Sequence, residues 1–225
     1  MNVVDALRSR TSIRAYTDQP VSQDAVSTLL NQARWSPSGG NMQPWKVVAV
    51  SGKAQRDICD LALKTVMANP VGEADDYPIY PKGIGEPYRS RRAVNGEQMY
   101  ATLGIARDDR MGRLTWLQNN FRFFGAPVGL FFIIDRNMER GQWAHLGMFM
   151  QSVALCATAG GYATCMQEAW AMVRRTLHGA LNLEEHELLY CGMALGYADP
   201  DAPVNAMRSE RDPVEAFARF EGFED

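Results

Sequence analysis

The sequence has little of what metal centres, disulfide staples and membrane anchors are made of. Its three histidines, His145, His178 and His186, and its four cysteines, Cys59, Cys156, Cys165 and Cys191, are scattered, with no CxxC pair and no HExxH. That spread argues against structural zinc and for reduced, mostly buried thiols. An excess of positive charge is also missing: 23 Lys and Arg stand against 26 Asp and Glu, a formal net charge of −3. No nucleic-acid partner is therefore expected. The most apolar long run, Trp143 to Met166, is interrupted by His145, Gln151, Ser152 and paired glycines, so no membrane span is expected. The opening MNVVDALRSRTSIRAY lacks the apolar core followed by small residues of a secretory signal, and a cytoplasmic location is expected. Two nucleotide-binding patterns are absent as well. No Lys-Ser or Lys-Thr follows a glycine-rich loop, and no GxGxxG follows a strand, which speaks against a P-loop and against a Rossmann nicotinamide site.

What is present is an ordinary globular composition. The 225 residues are 46% hydrophobic and 22% charged, enough to bury a sizeable core without staples. Apolar spacing predicts helices over 2–10, 22–33, 54–67, 91–103, 109–119 and 142–159. The last of these is apolar almost all round, so it is expected to be buried or to lie at a subunit interface. Strands are predicted over 45–50, 128–134 and 188–195, the second buried on both faces by its unbroken apolar character. The tyrosine- and proline-rich stretch 70–90 reads as a loop or lid between helical patterns. Beyond Gly196 the chain is polar and irregular but carries Phe217, Phe220 and Phe223, and such a tail is expected to pack on something, a second subunit being one choice.

Three segments carry unusual residue choices. Arg8-Ser9-Arg10-Thr11-Ser12-Ile13-Arg14 alternates cations with hydroxyls, which suits phosphate oxygens. It equally suits a solvated helix end. In Ser36-Pro37-Ser38-Gly39-Gly40-Asn41-Met42-Gln43-Pro44-Trp45, two prolines fix the backbone, two glycines permit positive φ, and small polar side chains offer donors to a flat ligand edge. A structural turn and a ligand loop both fit that pattern. Gly160-Gly161-Tyr162-Ala163-Thr164-Cys165-Met166-Gln167-Glu168-Ala169-Trp170 follows the most apolar helix and is expected to lead into another, whose N–H groups could meet negative charge. Gly160-Gly161 as a plain helix cap remains the alternative.

Taken together and in order along nearly the whole chain, RSRTSIRAY, SPSGGNMQPW, GGYATCMQEAW and GMALGYADPDAP with Arg208 and Arg211 resemble the motifs of the FMN-dependent nitroreductase family. The tyrosine-rich stretch and SRRAVNGEQMYATLGIARDD resemble a subgroup that reduces nitrobenzoates and related nitroaromatics. The resemblance implies an α+β, nitroreductase-like fold. Its central, mostly antiparallel sheet would be flanked by helices, and its C-terminal tail would extend onto the partner of a homodimer. It implies one FMN-binding domain over 1–225 with a lid-like insertion at about 70–125.

By the same resemblance Arg10, Thr11, Ser12 and Arg211, assisted by Arg208, would hold the FMN phosphate. Arg14 would approach the N1/O2 side of the ring and stabilise its reduced anion. Pro37, Ser38, Gly39 and Asn41 would come from the other subunit, and Gln167 and Glu168 would present backbone N–H groups to the O4 and N5 edge. Met166 stands where many relatives have proline. The family reaction is ping-pong: NADPH or NADH passes hydride to N5 and leaves, and a nitroaromatic or quinone then accepts the electrons. No side-chain nucleophile or metal is needed, and the three histidines are expected to be helix or loop residues. Tyr80, Tyr88 or Phe124 is expected to line the substrate pocket. Two further readings stay open: a same-fold reductive dehalogenase or flavin-consuming enzyme, and a non-catalytic FMN-binding protein.

Overall fold

A computed structural model describes residues 1–73 and 77–223 of the chain. Its centre is one antiparallel sheet of four strands: β1 (Lys46–Ser51), β2 (Val128–Asp135), β3 (Ala163–Gln167) and β4 (Glu187–Gly196), in the spatial order β1-β2-β4-β3. Seven helices surround it among the described residues: α1 (Val3–Ser9), α2 (Gln23–Ala33), α3 (Gly52–Ala68), α4 (Tyr88–Thr102), α5 (Arg110–Leu117), α6 (Arg140–Ala159) and α7 (Arg174–Ala180). The expected α+β architecture is what the chain adopts.

The period of two in β2 builds the core. Phe131 and Ile133 point to one face, where Ile58, Phe121, Phe123, Trp170 and Leu177 pack. Leu130, Phe132 and Ile134 point to the other, against Val26 and Leu29 of α2 and Leu146, Phe149 and Val153 of α6. Val128 to Ile134 are all buried, so the strand is covered on both faces as its composition demands. Ser22 starts α2 by accepting a hydrogen bond from the Ala25 N–H, and Asp109 starts α5 in the same way from Gly112. Close approach fixes two strand positions. A Cβ on Gly192 would lie 2.2 Å from Trp170 Cδ1, and one on Gly129 would lie 2.3 Å from the Phe123 ring.

Two elements differ from the sequence expectation. Ala163 to Gln167 is a strand, not a lead-in to a helix; it pairs with β4 from Ala163 opposite Gly196 to Gln167 opposite Gly192, and only then does a 3₁₀ turn follow over Glu168–Val173. Helix α4 starts at Tyr88, three residues before the predicted Arg91. No helix among the described residues is long and apolar enough to cross a membrane.

Candidate functional site

After α1 the chain turns onto the open edge of β3. Ser12 bridges to Thr164 in parallel, and the Ile13 N–H donates to the Thr164 carbonyl at 3.0 Å. This places Arg10, Thr11, Ser12 and Arg14 along one sheet edge. The chain beyond β4 returns to the same place. Asn205 makes the junction: its Oδ1 accepts from the N–H groups of Arg14 (2.8 Å) and Ala15 (3.2 Å), while its Nδ2 donates to the carbonyls of Ala15 and Asp199. Sequence reasoning did not find Asn205, because one asparagine in a polar tail carries no pattern.

The two segments close a cavity of 400 Å³ lined by Arg8, Arg10, Arg14, Arg208 and Arg211, with Thr11, Ser12, Asn95 and Ser209. Among the described residues no carboxylate lines it. Burial and the facing Arg211 guanidinium hold Arg10 below its ordinary value. Five cations converging without an acid cost free energy unless an anion sits among them. Arg208 already donates to Thr11 Oγ1 at 3.2 Å, and Arg211 donates to the carbonyls of Ser209 and Glu210. Those bonds orient both guanidinium groups.

Arg14 and Asn95 also border a larger cleft of 940 Å³, so cavity and cleft adjoin there. Trp116, Phe124, Met150, Met166 and Met172 give the cleft apolar walls, and Gln167, Glu168, Tyr190 and Cys191 lie along the sheet side. Phe123 and Phe124 both hold positive φ, 49° and 53°, at a cost of about 1–2 kcal/mol each for residues with a Cβ. That backbone sends Phe123 beneath β2 over Gly129 and leaves Phe124 at the cleft. Nothing in FRFFGAP shows this in advance, since neither position carries glycine or asparagine.

The Gln167 side chain is engaged on both sides. It donates to the Asn120 carbonyl at 2.8 Å and accepts from Trp170 Nε1 at 3.4 Å, and the Gln167 backbone N–H faces the Cys191 thiol. Burial pushes the Glu168 carboxyl above its ordinary value, and burial does the same to Cys165 despite the nearby Arg14, Ser12 and Arg10. The cysteine is a packed residue behind the site, not a reactive one. Tyr80 borders the cleft. Tyr88 does not; it opens α4 and is 61% exposed, with the Arg91 guanidinium 5.8 Å from its ring.

The loop carrying Pro37, Ser38, Gly39 and Asn41 lines neither cavity. It is docked on α6: Ser36 Oγ donates to Ser152 Oγ at 2.7 Å, and His145 Nδ1 lies 3.4 Å from the Gly39 amide. A Cβ at residue 39 would approach His145 Cε1 to 3.1 Å. His145 is thus a loop-docking residue, and His178 contacts the Glu184 carbonyl.

A cationic pocket adjoining an apolar cleft, both built on the edge of an antiparallel α+β sheet, defines a protein that holds a flat, anionic small molecule. Comparison with known proteins makes the class specific. The nitroreductase family profile covers residues 7–197. The chain is 37% identical to the nitrobenzene nitroreductase of Ectopseudomonas oleovorans, over 96% of this chain and 95% of that one. It superposes with TM-score 0.96 and 40% identity on the crystal structure of the FMN and NADPH-dependent nitroreductase NfnB of Sphigopyxis sp. strain HMH, covering 99% of this chain and 100% of that one. With NfnB of Mycobacterium smegmatis, crystallised in complex with NADPH, the TM-score is 0.91 at 29% identity, over 98% of each chain. The chain belongs to the nitroreductase family.

Proposed function

We propose that this protein is an FMN-dependent NAD(P)H oxidoreductase that reduces nitroaromatic compounds, with quinones as a second acceptor class. The observation that carries the reading is the five-arginine pocket free of lining carboxylates among the described residues, adjoining the apolar cleft at Arg14. The residues present fit FMN: a phosphate monoester matches the arginine and hydroxyl donors, and a planar ring matches the apolar walls. The relatives described as FMN-dependent support the same assignment.

Arg10, Thr11, Ser12, Arg208 and Arg211 would hold the phosphate, and Arg14 would set the ring end of the molecule. FMN, when bound, supplies the centre that takes hydride from the nicotinamide donor and gives it to the acceptor. Arg14 contributes a fixed positive charge at the junction. One charge-assisted hydrogen bond to a developing anion is worth about 1.5–3 kcal/mol, more as water is excluded. Phe124, Trp116 and the three methionines exclude that water. Tyr80 and Phe124 would border the acceptor, and the segment 70–125 would act as the lid that selects it. Ser38, Gly39 and Asn41, turned away from their own chain's cleft, would complete the cleft of a second subunit.

The test is anaerobic. The purified protein is expected to be yellow, to bleach with NADPH or NADH, and to regain colour when a nitrobenzoate is added. A yellow protein that neither donor bleaches would make it a flavin carrier, and a colourless one that takes up no FMN would end the assignment.

A further inference from the structure

On the lid side of the cleft, α4 presents one stripe inward: Arg89, Arg92, Ala93, Gly96 and Tyr100, the i, i+3, i+4 spacing of one helix face. The cations near this stripe are unequal. Arg89 Nε is paired with Glu86 Oε1 at 2.8 Å, and Arg113 holds Glu97 through two bonds of 2.8 Å. Arg92 makes no ion pair among the described residues; its guanidinium lies over the Tyr80 ring with Cζ 3.9 Å from the centroid. Stacking fixes the plane of a guanidinium and leaves the in-plane N–H fork available. The next positions of the stripe are small. A Cβ on Gly96 would meet nothing within 4 Å, so a ring can lie against the helix there.

We infer that Arg92, held by Tyr80, is a specificity-determining residue that takes the carboxylate of an anionic nitroaromatic while the ring lies along Ala93 and Gly96. The inference rests on the reading of the cleft as a nitroreductase site. One planar fork matches one carboxylate. The phosphates of a nicotinamide donor carry more charge and call for several converging cations, as in the five-arginine pocket. Across the cleft Glu168 disfavours a second anionic group in its ionised form.

The experiment compares kcat/KM for 4-nitrobenzoate and for nitrobenzene, with one donor, in the unsubstituted protein and in Arg92→Gln and Arg92→Lys. Arg92→Gln is expected to lower the nitrobenzoate value about tenfold more than the nitrobenzene value, chiefly through KM, with partial recovery in Arg92→Lys. Equal losses on both acceptors, or a change confined to the KM of the nicotinamide donor, would overturn the inference. Calorimetric titration with benzoate, which is not reduced, gives a readout that needs no turnover. Its Kd is expected to rise about tenfold in Arg92→Gln, and an unchanged Kd counts against the carboxylate anchor even if the enzyme reduces neither acceptor.

Discussion

At the scale of single residues, the site is a contrast between charges that want a partner and one that is better without its own. Arg211 faces Arg10 across the five-arginine pocket and is oriented by two carbonyls of its own segment. Arg211→Ala is therefore expected to raise the Kd for FMN about tenfold to a hundredfold, the worth of one charge-assisted hydrogen bond, measured by flavin fluorescence on the stripped protein. Glu168 is the opposite case. Burial raises its folded value above the ordinary 4.5, so the folded state binds this proton more tightly, and stability falls as pH rises from the ordinary value through the raised one. Glu168→Gln is expected to raise Tm at about pH 7 and to give no gain at about pH 3.5; thermal melts at the two pH values check the sign. The arginines were legible in the sequence because they recur with hydroxyls in a short run and again in the tail. Asn95, Asn205 and Arg92 were not, because each acts by where the fold puts it: Asn205 by bridging residues 190 positions apart, Arg92 by lying over Tyr80.

At the scale of elements, the sheet fixes the site and close packing fixes the sheet. Gly192 of β4 lies against Trp170, the largest fully buried side chain. Gly192→Ala puts a methyl 2.2 Å from the indole and is expected to cost about 1–3 kcal/mol or more through overpacking, seen as a lower midpoint in urea. Asn205→Ala acts on the join between the tail and the β3 edge. It leaves the Arg14 and Ala15 N–H groups and two carbonyls to find other partners, at about 1–3 kcal/mol where they stay dry. FMN affinity should fall with it, since Arg14 borders both cavities. Strands β2 and β4 could be read from their apolar runs. Strand β3 could not: Ala163-Thr164-Cys165-Met166-Gln167 is short, small and directly behind a double glycine, and it becomes a strand by pairing with β4. The left-handed pair Phe123-Phe124 is hidden for the same reason, being held by Gly129 and Trp170 from elsewhere in the chain.

At the scale of the whole molecule, several large apolar side chains have no cover within one chain. Val3, Val4 and Leu7 of α1, Trp35, Met148 of α6 and Phe217, Phe220 and Phe223 of the tail are all exposed, Trp35 by 82%. Apolar surface in such quantity calls for a partner, and α6 reads from sequence as a helix buried or at an interface. The glycine loop is docked on that same helix through Ser152 and His145, beside Met148 and outside its own chain's cleft. If this loop completes the cleft of a second copy, association and FMN binding are linked: each must strengthen the other by the same factor. The prediction is a particle of twice the 25.1 kDa chain mass by light scattering. Charged substitutions at the exposed apolar positions, Val4→Asp with Met148→Asp, should shift it toward the single chain and weaken FMN binding although neither residue lines the five-arginine pocket or the cleft. Added FMN should then drive the variant back to the larger mass. A single-chain species that binds FMN as tightly as the parent would show that the cleft is complete without the partner, and the loop at 37–41 would lose its assigned role.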